Sequence, residues 1–173
     1  VFDASGDMTH RLAAFQEQIL QVKFNNTWIE PMPDLAPQAC DLSLIYDALV
    51  LAVRDYVTKN GFKGIILGLS GGIDSALTLA IAVDALGKDK VQAVMMPFRY
   101  TAEMSIHDAR EEAEILGVEF DIISIEPIFD AFMTQLAPMF VDTKRDTTEE
   151  NLQARCRGVI LMGLSNKRGS LVL

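Results

Sequence analysis

A serine- and glycine-rich turn between an apolar run and a helical segment limits what this chain can fold into more than any other feature of its sequence. The apolar run at residues 65–67 predicts a buried strand, residues 70–75 form the turn Ser-Gly-Gly-Ile-Asp-Ser, and residues 76–86 predict a helix. Backbone N–H groups at a helix N-terminus lack partners within the helix, and the helix dipole favours negative charge there. Gly71 and Gly72 can take positive φ angles and let a ligand approach the backbone. The stretch therefore predicts a phosphate-binding loop.

This loop differs from the two phosphate-binding motifs most often found between a strand and a helix. It lacks the Gly-Lys-Ser/Thr of the Walker loop, and the spacing from Gly68 to Gly72 does not fit the dinucleotide motif G-x-G-x-x-G. It also contains an acid, Asp74, which would repel phosphates unless a divalent cation lay between them. Mg²⁺ is typically held by carboxylates and substrate phosphate oxygens, so we predict that Asp74 is a Mg²⁺ ligand. The alternative is an early-helix charge that follows an ordinary serine–glycine turn.

Segments typical of strands and of helices alternate from residue 41 to Leu173. The predicted strands are residues 63–67, 91–96, 118–123 and 170–173, and the predicted helices are residues 41–60, 76–86, 105–116, 127–140 and 149–164. This alternation predicts an α/β fold, with an open parallel sheet covered by helices on both faces. The ligand site of such a sheet lies beyond the carboxyl ends of its strands, where residues 70–75 and 97–101 both fall.

Finer patterns predict the ends and faces of several helices. Capping boxes are predicted to begin at Ser105 and Thr147, and Pro138 is expected to shorten or kink the fourth helix. Residues 13–22 are compatible with either a helix or a strand. In the first helix, apolar residues at three- and four-residue steps predict one apolar face, formed by Leu42, Ile45, Leu49, Val53 and Tyr56.

Composition excludes several classes of protein. The 173 residues suffice for about one domain with its own core, and no apolar run reaches the ~18–20 residues of a membrane span. The formal charge of −9 argues against a general nucleic-acid-binding surface. The two cysteines, Cys40 and Cys156, lack metal-ligand spacing and are typical of a reduced setting. We therefore expect a cytoplasmic protein without a membrane or nucleic-acid partner.

The chain divides into three parts. Residues 1–30 contain too little apolar material to fold alone, and the prolines within residues 31–40 predict a semi-rigid linker. The main domain is predicted to span residues 41–173. Its helix at residues 149–164 carries more apolar surface than one sheet face requires, which indicates a subunit interface; ordinary core packing is the alternative.

Five stretches of the sequence resemble a known family. The loop at residues 70–75 matches that of the ATP pyrophosphatases, which cleave ATP between its α- and β-phosphates and have a Rossmann-like fold of the adenine nucleotide alpha hydrolase type. Residues 96–101, 149–158 and 164–173 resemble NAD synthetases of the glutamine-dependent type. Residues 1–30 look like the end of that family's nitrilase-like glutaminase domain, followed by the interdomain linker.

The resemblance implies a two-step ligase reaction in NAD biosynthesis. Deamido-NAD would attack the α-phosphorus of ATP, with Mg²⁺ at Asp74, and ammonia from glutamine would then displace AMP from the adenylated intermediate. A separate domain would hydrolyse the glutamine, and the enzyme would be a homodimer or a higher homo-oligomer. By the resemblance, the residues that bind ATP are Gly68, Leu69, Ser70, Gly71, Gly72, Ile73, Asp74, Ser75, Met96 and Arg99, with Met95 beside the adenine.

The residues expected to bind deamido-NAD are Asn151, Arg155 and Arg157. Arginine matches the geometry of phosphates and carboxylates, and the alternative for each arginine is a surface ion pair with Glu149 or Glu150. The family's second metal ligand would follow Leu173, and its glutaminase cysteine would precede Val1. The resemblance therefore implies a piece of a longer enzyme that is inactive by itself, with neither Cys40 nor Cys156 as the nucleophile.

Two other readings of the loop remain open. One is a different ATP pyrophosphatase, such as a GMP or asparagine synthetase or a tRNA-thiolating enzyme. The thiolating enzymes are disfavoured because the chain is acidic and its two cysteines are not placed for sulfur transfer. The other is a non-catalytic module that binds ATP for regulation.

Overall fold

A computed structural model describes residues 1–26, 28–37 and 40–173, which fall into two units, residues 1–51 and 52–173. The helices are α1 (Asp41–Lys59), α2 (Ile73–Leu86), α3 (Glu103–Leu116), α4 (Glu126–Leu136) and α5 (Thr147–Arg168). The strands are β1 (Phe24–Asn25), β2 (Trp28–Ile29), β3 (Ile65–Gly68), β4 (Val91–Met95), β5 (Glu119–Ile122) and β6 (Leu171–Val172), and short 3-10 turns lie at Lys88–Lys90 and Ala137–Met139.

The second unit is organised around a parallel four-stranded sheet in the order β5-β4-β3-β6. Ile65 of β3 pairs with Val91 of β4 and with Leu171 of β6, so strands that are distant in sequence start level with one another. All five residues of β4 are buried, as expected for a strand covered on both faces. The predicted α/β fold, with a parallel sheet between helices, is confirmed.

Alternate strand residues contribute to two separate cores because successive side chains point to opposite faces of a sheet. One core combines inward residues of β3 and β4 with residues of α1, α2 and α3: Val57, Ile65, Leu67, Leu69, Leu79, Ala82, Val91, Ala93, Met95, Ala109 and Ala113. The other combines the opposite strand face with the segments around α4 and α5: Ile66, Val94, Met96, Phe98, Ile125, Phe129 and Cys156. Small residues on α2 and α3 let these helices lie close to the sheet.

The first unit has little regular structure. Phe2 and Met8 form an isolated antiparallel bridge, and the Asp3 carboxylate closes the turn between them by accepting the N–H groups of Ser5 and Asp7 at 2.9 Å. Strands β1 and β2 form a short antiparallel pair that the sequence did not predict. The expectation of a helix or strand over residues 13–22 is wrong, and Phe15 has a φ of 57°, which neither structure accommodates.

Both predicted capping boxes are misplaced. Helix α3 starts at Glu103 with Ala102 as its N-cap and no capping side chain, so Ser105 already lies inside the helix. Helix α5 is capped by Asp146, not by Thr147: the Asp146 carboxylate accepts the N–H of Thr148, and Glu149 completes the box. Hydrogen bonding from the Thr148 side chain, and then from its backbone N–H, lowers the pKa of Asp146. The predicted boxes thus begin one residue after the N-cap of α5 and three residues after that of α3.

Other helix boundaries also differ from the prediction. Helix α2 starts three residues early, at Ile73, so half of the predicted loop belongs to its first turn. Helix α5 continues to Arg168 and ends where Gly169 takes a left-handed φ of 70°. Helix α4 ends at Leu136, and Pro138 lies in the 3-10 turn that follows, as the proline predicted.

The predicted apolar face of α1 is largely exposed in this chain. Leu42 is 79% exposed and Ile45 is 59% exposed, whereas Val53 packs against the core and Val57 is buried. The core-facing side of α1 is therefore formed by Val50, Val53 and Val57, of which only Val53 belongs to the predicted face. Among the described residues, no helix combines the length and the apolar character needed to cross a membrane.

A substitution on α2 tests the packing of the first core. Leu79 is fully buried, whereas Leu77 on the same helix is 51% exposed. We expect Leu79→Ala to lower the free energy of unfolding by about 2–5 kcal/mol, because it removes buried methyl groups and leaves a cavity. Leu77→Ala is the matched control and should cost less than about 1 kcal/mol. Urea unfolding followed by circular dichroism measures both, and equal losses would contradict the described packing.

Candidate functional site

The Ser70 loop lies at the carboxyl end of β3, and its two serine hydroxyls fold it onto itself. The Ser75 hydroxyl donates to the Gly72 carbonyl oxygen at 2.9 Å and accepts the N–H of Ser70 at 3.1 Å. The Ser70 hydroxyl lies 3.0 Å from that of Ser75 and accepts the N–H of Gly72 at 3.2 Å. Since the Ser75 proton is already donated, the Ser70 hydroxyl is the donor between them. The hydroxyls thus set the shape of the loop before any ligand binds.

The backbone at the start of α2 is the part of the loop suited to an anion. Gly72 is the N-cap residue, and no side chain caps the helix within the described part of the chain. Among the described residues, the first-turn N–H groups at Ile73 and Asp74 therefore have no hydrogen-bond partner. Together with the helix dipole, they make this helix start suited to an anion such as a phosphate.

Gly71 is the residue whose lack of a side chain the loop requires. Its φ is 78°, and a Cβ at this position would lie 2.2 Å from the carbonyl oxygen of Ser105 on α3. Gly72 has an ordinary φ of −99°, so the positive φ predicted for both glycines occurs only at Gly71. The loop therefore rests directly on the first turns of α3.

A cavity of about 430 Å³ opens beside the loop, at the carboxyl ends of β3 and β4. It brings together five of the residues predicted to bind substrates, which are Gly68, Leu69, Ser70, Met96 and Arg157, and it includes Met95. It also includes Thr101, from the stretch 97–101 that was predicted to lie at this edge, and Leu161 and Leu173, which the sequence did not single out as site residues. Its floor is apolar, since Leu69 and both methionines are buried. Such a cavity suits a flat apolar ring joined to a charged group.

Ile73, Asp74 and Ser75 lie in the first turn of α2, outside the cavity lining. The Asp74 carboxylate is exposed, and it forms no ion pair within residues 1–26, 28–37 and 40–173. Ile73 is also exposed, and the Asp74 carbonyl accepts the Thr78 hydroxyl at 2.8 Å. In the same described residues, no group of three histidine, cysteine or acidic side chains forms a metal site. A metal at Asp74 would therefore take its other ligands from the substrate or from outside the described residues.

Arg99 faces α4 instead of the cavity. Its Nε lies 2.9 Å from Glu126 Oε1, and its Nη2 donates to Asp130 Oδ1 at 2.7 Å. Its guanidinium also lies 4.9 Å from the centre of the Phe98 ring. Because two carboxylates already neutralise this side chain, the structure gives no support to its predicted contact with ATP.

The three predicted deamido-NAD residues lie on two sides of α5. Asn151 and Arg155 are exposed and one helical turn apart, and the Nη1 of Arg155 approaches the Asn151 carbonyl oxygen at 3.5 Å. Arg157 is half-buried, and its Nε donates to the Met96 carbonyl oxygen at 3.2 Å. Within the described residues, neither arginine pairs with Glu149 or Glu150, so the surface ion pairs considered as the alternative are not formed.

Neither cysteine belongs to the loop or to the cavity lining. Cys156 is buried in the second core, and this burial raises the pKa of its thiol. Cys40 is exposed, and a hydrogen bond with the Ser43 hydroxyl lowers the pKa of its thiol. Burial with a raised pKa makes Cys156 unsuited to act as a nucleophile.

Comparison with known proteins identifies the family. The NAD synthase family model matches residues 45–173, which include the loop, the cavity and α5. The chain belongs to the NAD synthase family. A curated relative is the glutamine-dependent NAD(+) synthetase of Acinetobacter baylyi, which is 51% identical over 100% of this chain. The match covers 32% of that relative, so the chain spans about a third of the length of such enzymes.

Solved structures agree with this assignment. A glutamine-dependent NAD+ synthetase from Acinetobacter baumannii, in complex with adenosine diphosphate, superposes with a TM-score of 0.94 at 50% identity, covering 97% of this chain and 32% of that one. An NH3-dependent NAD synthetase from Campylobacter jejuni, in complex with the nitrate ion, gives a TM-score of 0.69 at 33% identity and covers 78% of this chain and 56% of that one. Both neighbours carry the fold described above.

The two loop glycines provide a matched test of the site. We expect Gly71→Ala to lower the free energy of unfolding by about 2 kcal/mol or more, because the new methyl group meets the Ser105 backbone and a positive φ is strained. Any ligand held by the loop should bind more weakly in the same variant. The control Gly72→Ala has an ordinary φ and a nearest contact of 3.4 Å, so it should fold almost normally. Chemical unfolding and ATP titration of both variants check this, and a well-folded, fully binding Gly71→Ala variant would contradict the geometry.

Proposed function

We propose that this chain is the ATP-binding part of a glutamine-dependent NAD(+) synthetase, which amidates deamido-NAD to NAD. The observation that carries the proposal is the Ser70 loop, which places uncapped N–H groups of α2 beside an apolar cavity with an arginine in its lining. The membership in the NAD synthase family supports it, and so does the ADP complex of the Acinetobacter baumannii relative. ADP contains the adenine and phosphate groups for which the cavity and the loop are suited.

The first step joins deamido-NAD to AMP. A carboxylate oxygen of the nicotinate ring attacks the α-phosphorus of ATP, and the bond from this phosphorus to the bridging oxygen of pyrophosphate breaks. Pyrophosphate leaves with the electron pair of that bond. The N–H groups at Ile73 and Asp74 would hold the outer phosphates and stabilise the charge that develops on the leaving group.

The second step replaces AMP by ammonia. The ammonia nitrogen attacks the activated carboxyl carbon, the bond to the AMP oxygen breaks, AMP leaves with the electron pair, and the nitrogen loses a proton. Neither step needs a protein nucleophile, because the substrate carboxylate and the ammonia act in turn. This agrees with a site in which the lining residues bind and orient groups instead of attacking them.

The exposed Asp74 carboxylate fits a role in holding Mg²⁺. It lies in the first turn of α2 beside the phosphate loop, and its side chain is not committed to an ion pair in the described residues. Mg²⁺ is commonly bound by one or two carboxylates and by phosphate oxygens. When bound, the ion would neutralise phosphate charge and make pyrophosphate a better leaving group. The loop would thus bring the charge of the ion to the phosphates.

Asn151 and Arg155 are the residues that we assign to deamido-NAD. Both lie on the exposed side of α5, away from the cavity, where an amide and a guanidinium one turn apart can bind the phosphates of deamido-NAD while its nicotinate end reaches the cavity. The same side of α5 carries Gly158, Val159 and Met162, and the space above Gly158 is open. We propose that this face also forms the homodimer interface, because exposed apolar residues next to a glycine permit close helix approach.

The rest of the enzyme would supply the ammonia. In this proposal, residues 1–30 are the end of a nitrilase-like glutaminase domain, residues 31–40 are the linker and residues 41–173 are part of the synthetase domain. Glutamine hydrolysis in the first domain would release the ammonia used in the second. The proposed setting is the cytoplasm, where ATP and a reduced environment are available.

Substitution of Asp74 tests the proposal in the full-length enzyme. We expect Asp74→Asn to lower kcat for NAD formation by about 100-fold or more, because the neutral amide is a much weaker Mg²⁺ ligand. Asp89→Asn, in the 3-10 turn at the other end of α2, is the control and should leave turnover unchanged. The measurement is NAD produced from deamido-NAD, ATP and glutamine as Mg²⁺ is varied.

Two outcomes would overturn parts of this proposal. Full turnover by Asp74→Asn would exclude the metal role of this carboxylate. If the wild-type enzyme binds ATP but forms no NAD with either glutamine or ammonium, the loop belongs to a non-catalytic ATP-binding module. Amidation of a different acceptor would instead indicate another ATP pyrophosphatase.

A further inference from the structure

Arg157 is the one charged residue that lines the cavity in the described part of the chain. Its Nε donates to the Met96 carbonyl oxygen at 3.2 Å, which ties α5 to the end of β4. The remaining N–H donors, on the two terminal nitrogens, have no carboxylate partner among residues 1–26, 28–37 and 40–173. The guanidinium is thus oriented by one bond and keeps its charge uncompensated.

An uncompensated, half-buried cation is costly unless it meets an anion. Taking a charge partly out of water is unfavourable, and a structural arginine normally offsets this cost with a carboxylate. Arg99 illustrates one solution, because it is held by both Glu126 and Asp130. Arg11, which is also half-buried, donates its Nε to the Ala36 carbonyl oxygen, as Arg157 does to that of Met96. Arg157 differs from Arg11 in lining the cavity beside the Ser70 loop, where an anionic ligand can complete it.

We propose that Arg157 binds the α-phosphate of ATP, and not deamido-NAD as its sequence context suggested. This inference rests on the proposed function. There, the outer phosphates bind at the start of α2 and the adenine packs on the apolar floor formed by Leu69, Met95 and Met96. The α-phosphate joins these two parts of the nucleotide. It must therefore pass through the cavity that Ser70 and Arg157 both line.

This placement gives Arg157 a role in the reaction itself. A guanidinium donates paired N–H groups that match the oxygens of a phosphate, and such charge-assisted bonds are stronger than neutral ones. When the substrate carboxylate attacks the α-phosphorus, Arg157 stabilises the charge on the phosphate oxygens that do not leave. The Met96 carbonyl fixes the direction of the guanidinium, so little reorganisation accompanies this step.

Arg155 provides a matched control on the same helix. Two residues along an α-helix correspond to a rotation of roughly 200°, so Arg155 and Arg157 project to nearly opposite sides of α5. Arg155 is exposed and does not line the cavity. A general effect of removing positive charge from α5 would be the same for both residues, whereas contact with the α-phosphate belongs to Arg157 alone.

The experiment compares Arg157→Gln and Arg155→Gln in the full-length enzyme, using adenosine, AMP, ADP and ATP as ligands in calorimetric titrations. We expect Arg157→Gln to weaken the binding of AMP, ADP and ATP by about 10- to 100-fold while adenosine binding is unchanged. AMP is the smallest of these ligands that contains the α-phosphate. Arg155→Gln should leave the whole series unchanged and raise the KM for deamido-NAD.

Further readouts separate this role from structural damage. Arg157→Lys keeps the positive charge and should recover part of the affinity for AMP. Thermal unfolding of each Arg157 variant measures the loss of stability caused by losing the hydrogen bond to the Met96 carbonyl oxygen. The proposal fails if Arg157→Gln weakens adenosine as much as AMP, or if it raises only the KM for deamido-NAD. If wild-type enzyme binds none of the four ligands and forms no NAD, the proposed function fails as well. Wild-type turnover with an unchanged AMP affinity in Arg157→Gln rejects this inference alone.

Discussion

The contact between Gly71 and the backbone of Ser105 is the constraint on which the geometry of the site depends. It sets the phosphate loop against the start of α3 so closely that no side chain fits between them. The two serine hydroxyls then hold the loop in this position, and α2 leaves the loop with its first N–H groups free. A rigid, uncapped helix start of this kind binds phosphate without having to reorganise.

The second side of the cavity depends on how α5 is attached to the sheet. Cys156 anchors the helix in the core, and the neighbouring Arg157 reaches the carbonyl oxygen of Met96 just beyond β4. Met96 and Arg157, which are distant in sequence, therefore lie in the same wall of the cavity. The orientation of α5 determines both the packing of Cys156 in the core and the position of the Arg157 charge.

The fold and the loop could be predicted from local patterns, whereas several site details could not. Strand–helix alternation and the residues at 70–75 suffice to predict a parallel sheet with a serine–glycine loop between a strand and a helix at its edge. The start of α3 was misplaced because its Ala102 cap uses no side chain. Arg99 is directed by Glu126 and Asp130, and Arg157 is directed by Met96. In each case the partner is distant in sequence. Local spacing contains no information about such partners.

The length of α5 has a consequence for how the two substrates affect each other. One uninterrupted helix, Thr147–Arg168, carries Arg157 on the cavity side and Asn151 with Arg155 on the other side. In the proposed enzyme, any rotation or shift of this helix changes both binding surfaces together. A nucleotide that fixes the helix would then alter the affinity for the second substrate, and linkage requires that the second substrate alter the affinity for the nucleotide by the same factor. The helix would thus couple the two binding surfaces of the proposed enzyme.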